Sequence, residues 1–324
     1  MSDYQPFKGL SSLQNDPPIH DTGFNYDGYV RFMAERFTIV NKDTEEVAFT
    51  QQPAQVDFLY QMSMFYELLI LKARKMGFSS TALGVGTAKF LSGRNERCVS
   101  MSFDQSSAEK QLQRAKHYIK SYEHKQSQLN GVEVKVPLKY NSKSELVWEG
   151  KAKNDLGGFD YWQNALRVGT AKVDSFGRGD DITFLHVTEV SLAKDMKALQ
   201  AGVGEACVRG AHKIYETTAN GFNSYKSTWD EAVLGDNDMA ALFYSPLWEY
   251  DQDYIDNAYR RLGRLGPQEY PMTPLEAFLT SGETYFDTIA MMDYMEQVKH
   301  EKPMAELFAV WHIIYGVTLV TTFI

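Results

Sequence analysis

Cysteine is nearly absent from this chain. Only Cys98 and Cys207 occur, far apart and each in an apolar run. That excludes a disulfide framework and zinc-ligand spacing, and makes a reducing compartment the natural one. Basic charge is short as well: 33 Lys and Arg stand against 42 Asp and Glu, a formal net charge of −9. No general attraction for nucleic acid follows, so any phosphate contact must come from a local patch. The first ten residues, MSDYQPFKGL, have neither a basic n-region nor an apolar stretch, and no secretory signal is expected. Long uncharged runs are missing except at the end, in LFAVWHIIYGVTLVTTFI. That run just reaches the length of a membrane helix, but its Val, Ile, Thr and aromatics suit strands equally, and no basic flank follows. A buried strand pair or a tail left by truncation is expected there rather than a membrane anchor.

What is present is an ordinary globular balance, 44% hydrophobic and 23% charged, in 324 residues. That is room for one large domain or two modest ones. Residues 1–45 are polar and turn-rich and read as a loose arm with a short helix. A strand–helix alternation then begins: ELLILK (67–72), a helix from Ser79, RCVSMSF (97–103), and a helix capped by Asp104. In that helix Ala108, Leu112, Ala115, Ile119 and Tyr122 fall three or four apart. ELVWEG, ALRVGTAKV, DITFLHVTEV and HKIYETTANG read as later strands, and MKALQAGVGEACVRG as a helix. After about residue 235 the pattern loosens. Alternating strands and helices predict an α/β fold with a largely parallel sheet, whose ligands sit at the carboxyl ends of the strands.

Several motifs fall at such ends. KARKMGFSS keeps the glycine and hydroxyl of a phosphate-binding loop, at Gly77 and Ser79, but puts Phe78 where its lysine belongs. The helix N-terminus can still offer free N–H groups to an anion. Lys72, Arg74 and Lys75 are near enough to supply the charge, while the plain reading is a glycine turn flanked by solvated bases. ITFLHVTEV ends at Thr188-Glu189, where a Glu can orient and deprotonate an attacking water; otherwise it is a solvated strand end. YETTANG offers Thr217, Thr218 and Asn220 as sensors of a terminal phosphate, or an ordinary Asn-Gly turn. Arg178, between two glycines, suits an arginine finger or a surface loop. The Gln55 amide suits an adenine edge, and Lys110, Arg114 and Lys120 form either a DNA-facing or a solvated helix side.

In this order the motifs LKARKMGFSST, FLHVTEVSLA, YETTANGFNSY and YPMTPLEAFLTSGETYFD resemble the ATPase domain of tailed-phage large terminases, over roughly residues 45–290. The resemblance implies an ASCE/RecA-like P-loop NTPase fold with a small lid. Its parts would be an arm at 1–45, the ATPase core at 46–235, a lid and linker at 236–290, and a truncated tail at 291–324. ATP and Mg2+ are the implied cofactors. Lys72 and Arg74 become the loop cations, beside Gly77 and Ser80, with Ser79 on magnesium and Thr188 touching it through water. Glu189 becomes the catalytic carboxylate, Arg178 the finger, Gln55 the adenine-side glutamine, and Thr217, Thr218 and Asn220 the coupling motif. The implied partners are the double-stranded DNA backbone, a portal protein, a small terminase subunit and further copies in a ring, with no membrane. Host cytoplasm, transiently at the prohead portal and not the mature virion, is the implied location.

Two departures stand out. Thr188 replaces the acidic partner usual before the catalytic Glu. Beyond Asp293 no Asp occurs, so two-metal cleavage by a nuclease half is not expected from this chain. A helicase-like translocase and a degenerate nucleotide-binding scaffold are the competing readings.

Overall fold

The computed structural model describes residues 11–41, 43–171 and 181–280. Arg178 and the tail at 291–324 lie outside the described residues.

The chain begins with α1 (Tyr26–Arg36), a small hairpin of β1 (Thr38–Val40) and β2 (Glu46–Ala48), and α2 (Pro53–Met62). The core then follows as β3 (Glu67–Lys72), α3 (Phe78–Ser92), β4 (Arg97–Ser102) and α4 (Gln105–Asn130). Next come β5 (Leu138–Asn141), β6 (Glu145–Lys153), β7 (Phe159–Thr170) and β8 (Ile182–Thr188), then α5 (Met196–Leu199), β9 (Cys207–Thr217), α6 (Ser224–Leu234) and β10 (Ala240–Tyr244). The described chain closes with α7 (Gln252–Leu262), α8 (Gly266–Glu269) and α9 (Pro274–Thr280).

Eight strands form one sheet in the order β10-β3-β9-β8-β4-β7-β6-β5. The six from β10 to β7 run parallel, and β6 and β5 extend the sheet antiparallel. The expected α/β class and mostly parallel sheet are therefore present, in an ASCE-type order: β9 lies between the loop strand β3 and β8, the strand that runs into Glu189. Side-chain alternation explains the two cores. Leu68 and Ile70 of β3 join the cluster made with α1–α4, while Leu69 and Leu71 join the one made with α6 and α9. Burial of both faces is why these strands are apolar almost throughout.

Local chemistry sets the helices. Asp104 caps α4 by accepting the Ser107 N–H at 3.0 Å, and Ala108, Leu112, Ala115 and Ile119 are buried along one stripe. α3 packs so closely on the sheet that a Cβ on Gly86 would stand 3.2 Å from the Phe184 ring.

Three expectations are corrected. MKALQAGVGEACVRG is not one helix: α5 ends at Leu199, a π-turn spans Gln200–Gly204, and Cys207 already belongs to β9. Gly202 and Gly204 weaken a continued helix, and pairing of Ile182 with Cys207 pulls that stretch into the sheet. The sheet also does not stop near 235, because Ala240–Tyr244 pairs with β3. Five apolar residues without alternation gave no period to detect. Lastly, the arm is anchored from Ser12 to Asn15. Leu13 bridges Leu242, Gln14 N–H donates to the Ala241 carbonyl at 2.9 Å, and Asn15 caps backbone groups of residues 232, 239 and 241. The arm thereby covers the sheet's free edge at β10.

Candidate functional site

Parallel strands bring their carboxyl ends to one edge. Lys72, Thr188 and Thr217 are the last residues of β3, β8 and β9, and register sets Leu71 opposite Thr217 and Thr188 opposite Glu216. Residues 73–77 turn from β3 into α3 through two left-handed positions, Lys75 (φ 61°) and Gly77 (φ 73°). At Gly77 a side chain is strained by that φ, and a Cβ would also stand 2.3 Å from the Gln55 amide nitrogen, which would have to shift. The α3 N-terminus carries no side-chain cap, so its amides are left to an anion.

Phe78 is fully core. Its ring lies 4.6 Å from Tyr244 and 5.5 Å from Phe58, centroid to centroid, so the usual lysine position is here an anchor holding the loop to α2 and β10. Lys72 ends the preceding strand, with its side chain 11% exposed and its Nζ 3.2 Å from a Glu216 carboxylate oxygen. Arg74 turns away: its guanidinium donates to Glu269 at 2.7 Å and its backbone N–H to the Glu269 carbonyl at 2.9 Å. Gln55 buttresses the loop. Its amide nitrogen donates to the Met76 carbonyl at 2.9 Å while its oxygen accepts the Gln52 N–H at 3.2 Å.

The Ser79 hydroxyl points to the same place as Lys72. It is 3.1 Å from the Thr188 hydroxyl and donates to Glu216. Ser80 enters through its backbone, its N–H on the Gly77 carbonyl and its carbonyl accepting the Tyr118 hydroxyl at 3.3 Å. Glu189 is exposed and holds a left-handed backbone (φ 55°, ψ 37°), costly for a residue with a Cβ. Ser191, two residues on, shares a hydrogen bond with the Thr217 hydroxyl at 2.7 Å and donates to the Thr218 carbonyl at 2.9 Å. Asn223 then donates to the carbonyls of Ser191 and Asn220 at 2.6 and 3.1 Å. The turn after Glu189 and the end of β9 are thus one hydrogen-bonded unit.

Sequence reading missed Glu216, His186, Ser191 and Asn223. Glu216 is 1% exposed. Burial alone would raise its carboxyl pKa, but the Lys72 charge, with hydrogen bonds from His186 and Ser79, holds it below the ordinary carboxylate range. His186, wholly buried, bridges Glu216 at 3.4 Å and Ser100 at 2.8 Å. The available signal was parity: Lys72, Ser100, His186 and Glu216 sit on the sheet face that packs α3 and α4, where apolar residues are expected.

The donor set fits magnesium arriving with phosphates. Hydroxyls and a carboxylate are hard oxygen ligands, and magnesium takes few protein ligands beside phosphate and water. Among the described residues no cluster of three or more His, Cys, Asp or Glu could hold a metal ion by itself. No described helix is long and apolar enough to cross a membrane.

No protein-family profile matches the sequence, and no curated protein matches it. Solved structures do. The large terminase of bacteriophage HK97 superposes with a TM-score of 0.51 at 16% identity, covering 84% of this chain and 53% of that one. A variant of the Thermus phage P74-26 large terminase ATPase domain gives 0.50 at 11% identity, covering 67% and 91%. The fold is that of a large-terminase ATPase domain. This chain therefore spans about half the length of the HK97 protein.

Proposed function

We propose that this chain is the ATP-hydrolysing motor of a phage DNA-packaging machine, translocating double-stranded DNA into a prohead. The observation that carries the reading is the meeting of Lys72, Ser79 and Thr188 at the carboxyl edge of an ASCE-ordered sheet, with Glu189 exposed at the end of β8. The α3 amides and Lys72 would hold the nucleotide phosphates. Ser79, with Thr188 beside it, would hold magnesium, which neutralises phosphate charge when bound. Glu189 would orient water in line with the terminal phosphate and take its proton, the positioning and charge control on which phosphoryl transfer depends. The Ser191–Thr217 bond gives a direct path from the hydrolytic residue to Thr218 and Asn220, so loss of the terminal phosphate would be felt there.

Arg178 is the proposed finger and Arg74 a reserve cation, freed if Glu269 moves. DNA contact through Lys110, Arg114 and Lys120, which are exposed on α4, would be to backbone phosphates, since packaging must ignore sequence. Portal protein, small subunit, further copies in a ring and host-cytoplasmic location belong to the same proposal. A nucleotide-binding scaffold is favoured by one observation: Lys72 and Arg74 are both paired with carboxylates. Magnesium-dependent binding of ATP establishes the site, and hydrolysis in the presence of double-stranded DNA separates the readings. A motor binds and hydrolyses; a scaffold does not hydrolyse, and strand separation would indicate a helicase.

A further inference from the structure

The acid expected at the end of β8 is missing, yet a carboxylate stands within reach of the same hydroxyl. Glu216 lies opposite Thr188 in the β8–β9 register, and its carboxylate accepts the Ser79 hydroxyl, itself 3.1 Å from that of Thr188. From this geometry we infer that Glu216, on the neighbouring strand, supplies the negative charge that Thr188 cannot bring to a nucleotide-bound divalent cation. The inference rests on the nucleotide-site reading above.

Charge balance argues for it. A fully buried carboxylate needs a cation, and here Lys72 provides one at 3.2 Å. If nucleotide phosphates recruit Lys72, Glu216 loses that partner at the moment a dication arrives beside Ser79. The swap keeps the site's charges matched in both states. His186 makes the carboxylate a fixed one: its ring bridges Glu216 at 3.4 Å and Ser100 at 2.8 Å, and Ser100 donates to Gln111 of α4. Such outer contacts orient an acid near a metal.

The test is magnesium-dependent binding of a fluorescent ATP analogue to the purified chain, read without turnover. The parent should bind more tightly in magnesium than in EDTA. Glu216→Gln frees Lys72 from its carboxylate, so its affinity in EDTA should not fall, while it should require about 10–100-fold more magnesium for half-saturation. Thr188→Asp combined with Glu216→Gln returns the charge one strand away and should restore most of the parent's magnesium response. Circular-dichroism melts establish that each variant is folded. A folded Glu216→Gln protein with the parent's magnesium response overturns the inference while leaving the nucleotide site intact. Failure of both variants to fold assigns Glu216 to the fold and overturns it too. A parent that binds no nucleotide in either condition removes the underlying reading together with it.

Discussion

Phe78 shows how one side chain can leave a motif's wording and keep its physics. It cannot be the nucleotide's cation, because it is buried between Phe58 and Tyr244. Phe78→Ala should cost about 3–5 kcal/mol, as large-to-small changes in a packed core do. Phe78→Lys should also destabilise rather than improve nucleotide affinity; denaturant unfolding of both variants checks this. Glu189 makes the opposite trade. Replacing it with Gly relieves a left-handed backbone and should stabilise the fold by about 1 kcal/mol while removing hydrolysis, which paired melts and turnover assays would show. His212 carries the pH dependence. Burial lowers its imidazole pKa from 6.5 to about 4, despite a hydrogen bond with the Met62 carbonyl. Between those values the unfolded chain holds a proton that the folded chain does not, so stability is complete above pH 6.5 and falls as pH drops towards 4. The loss is about 3 kcal/mol. Urea titrations across that window should show it, and His212→Gln should flatten the curve.

At the scale of elements, β3, α3, β4 and α4 were legible because period, cap and glycine turn agreed along one stretch of chain. Lys72 as the candidate cation and the pairing of Ser79 with Thr188 were implied by the family resemblance of the motifs, and the structure places the two hydroxyls 3.1 Å apart. β10 was not legible, since five buried apolar residues carry no periodicity. Glu216 was hidden for a deeper reason. In YETTANG it reads as one more polar residue near a strand end, and only the insertion of β9 between β3 and β8 buries it against Lys72. Strand order is a long-range property that no local window contains. The loop–helix junction offers its own test: Gly77→Ala combines a left-handed φ with a clash at the Gln55 amide. It should weaken nucleotide binding and lower the melting temperature, whereas Gln55→Ala should leave the loop without its Met76 contact and soften the first effect. A Gly77→Ala protein with unchanged affinity would mean that the loop does not cradle phosphate.

For the whole molecule, the acidic net charge means that any DNA affinity must come from a local basic patch, and the proposed motor would use the exposed bases of α4 together with assembly of several copies. A finger acting between copies would leave an isolated chain slow, with hydrolysis rising steeply with protein concentration or on adding portal-bearing proheads. Lys72→Ala is a poor first test, because it also strands Glu216 as a buried unpaired charge, a loss of about 3–5 kcal/mol. Glu189 is exposed, and its side chain can be neutralised without that cost. The most direct measurement is therefore steady-state ATP hydrolysis by the parent and by Glu189→Gln, with double-stranded DNA and proheads present and nucleotide binding measured alongside. The account predicts magnesium-dependent turnover in the parent, and in Glu189→Gln intact binding with turnover lower by about 10²–10⁴-fold. Equal turnover in the two proteins, or none in the parent under these assembled conditions, would contradict it.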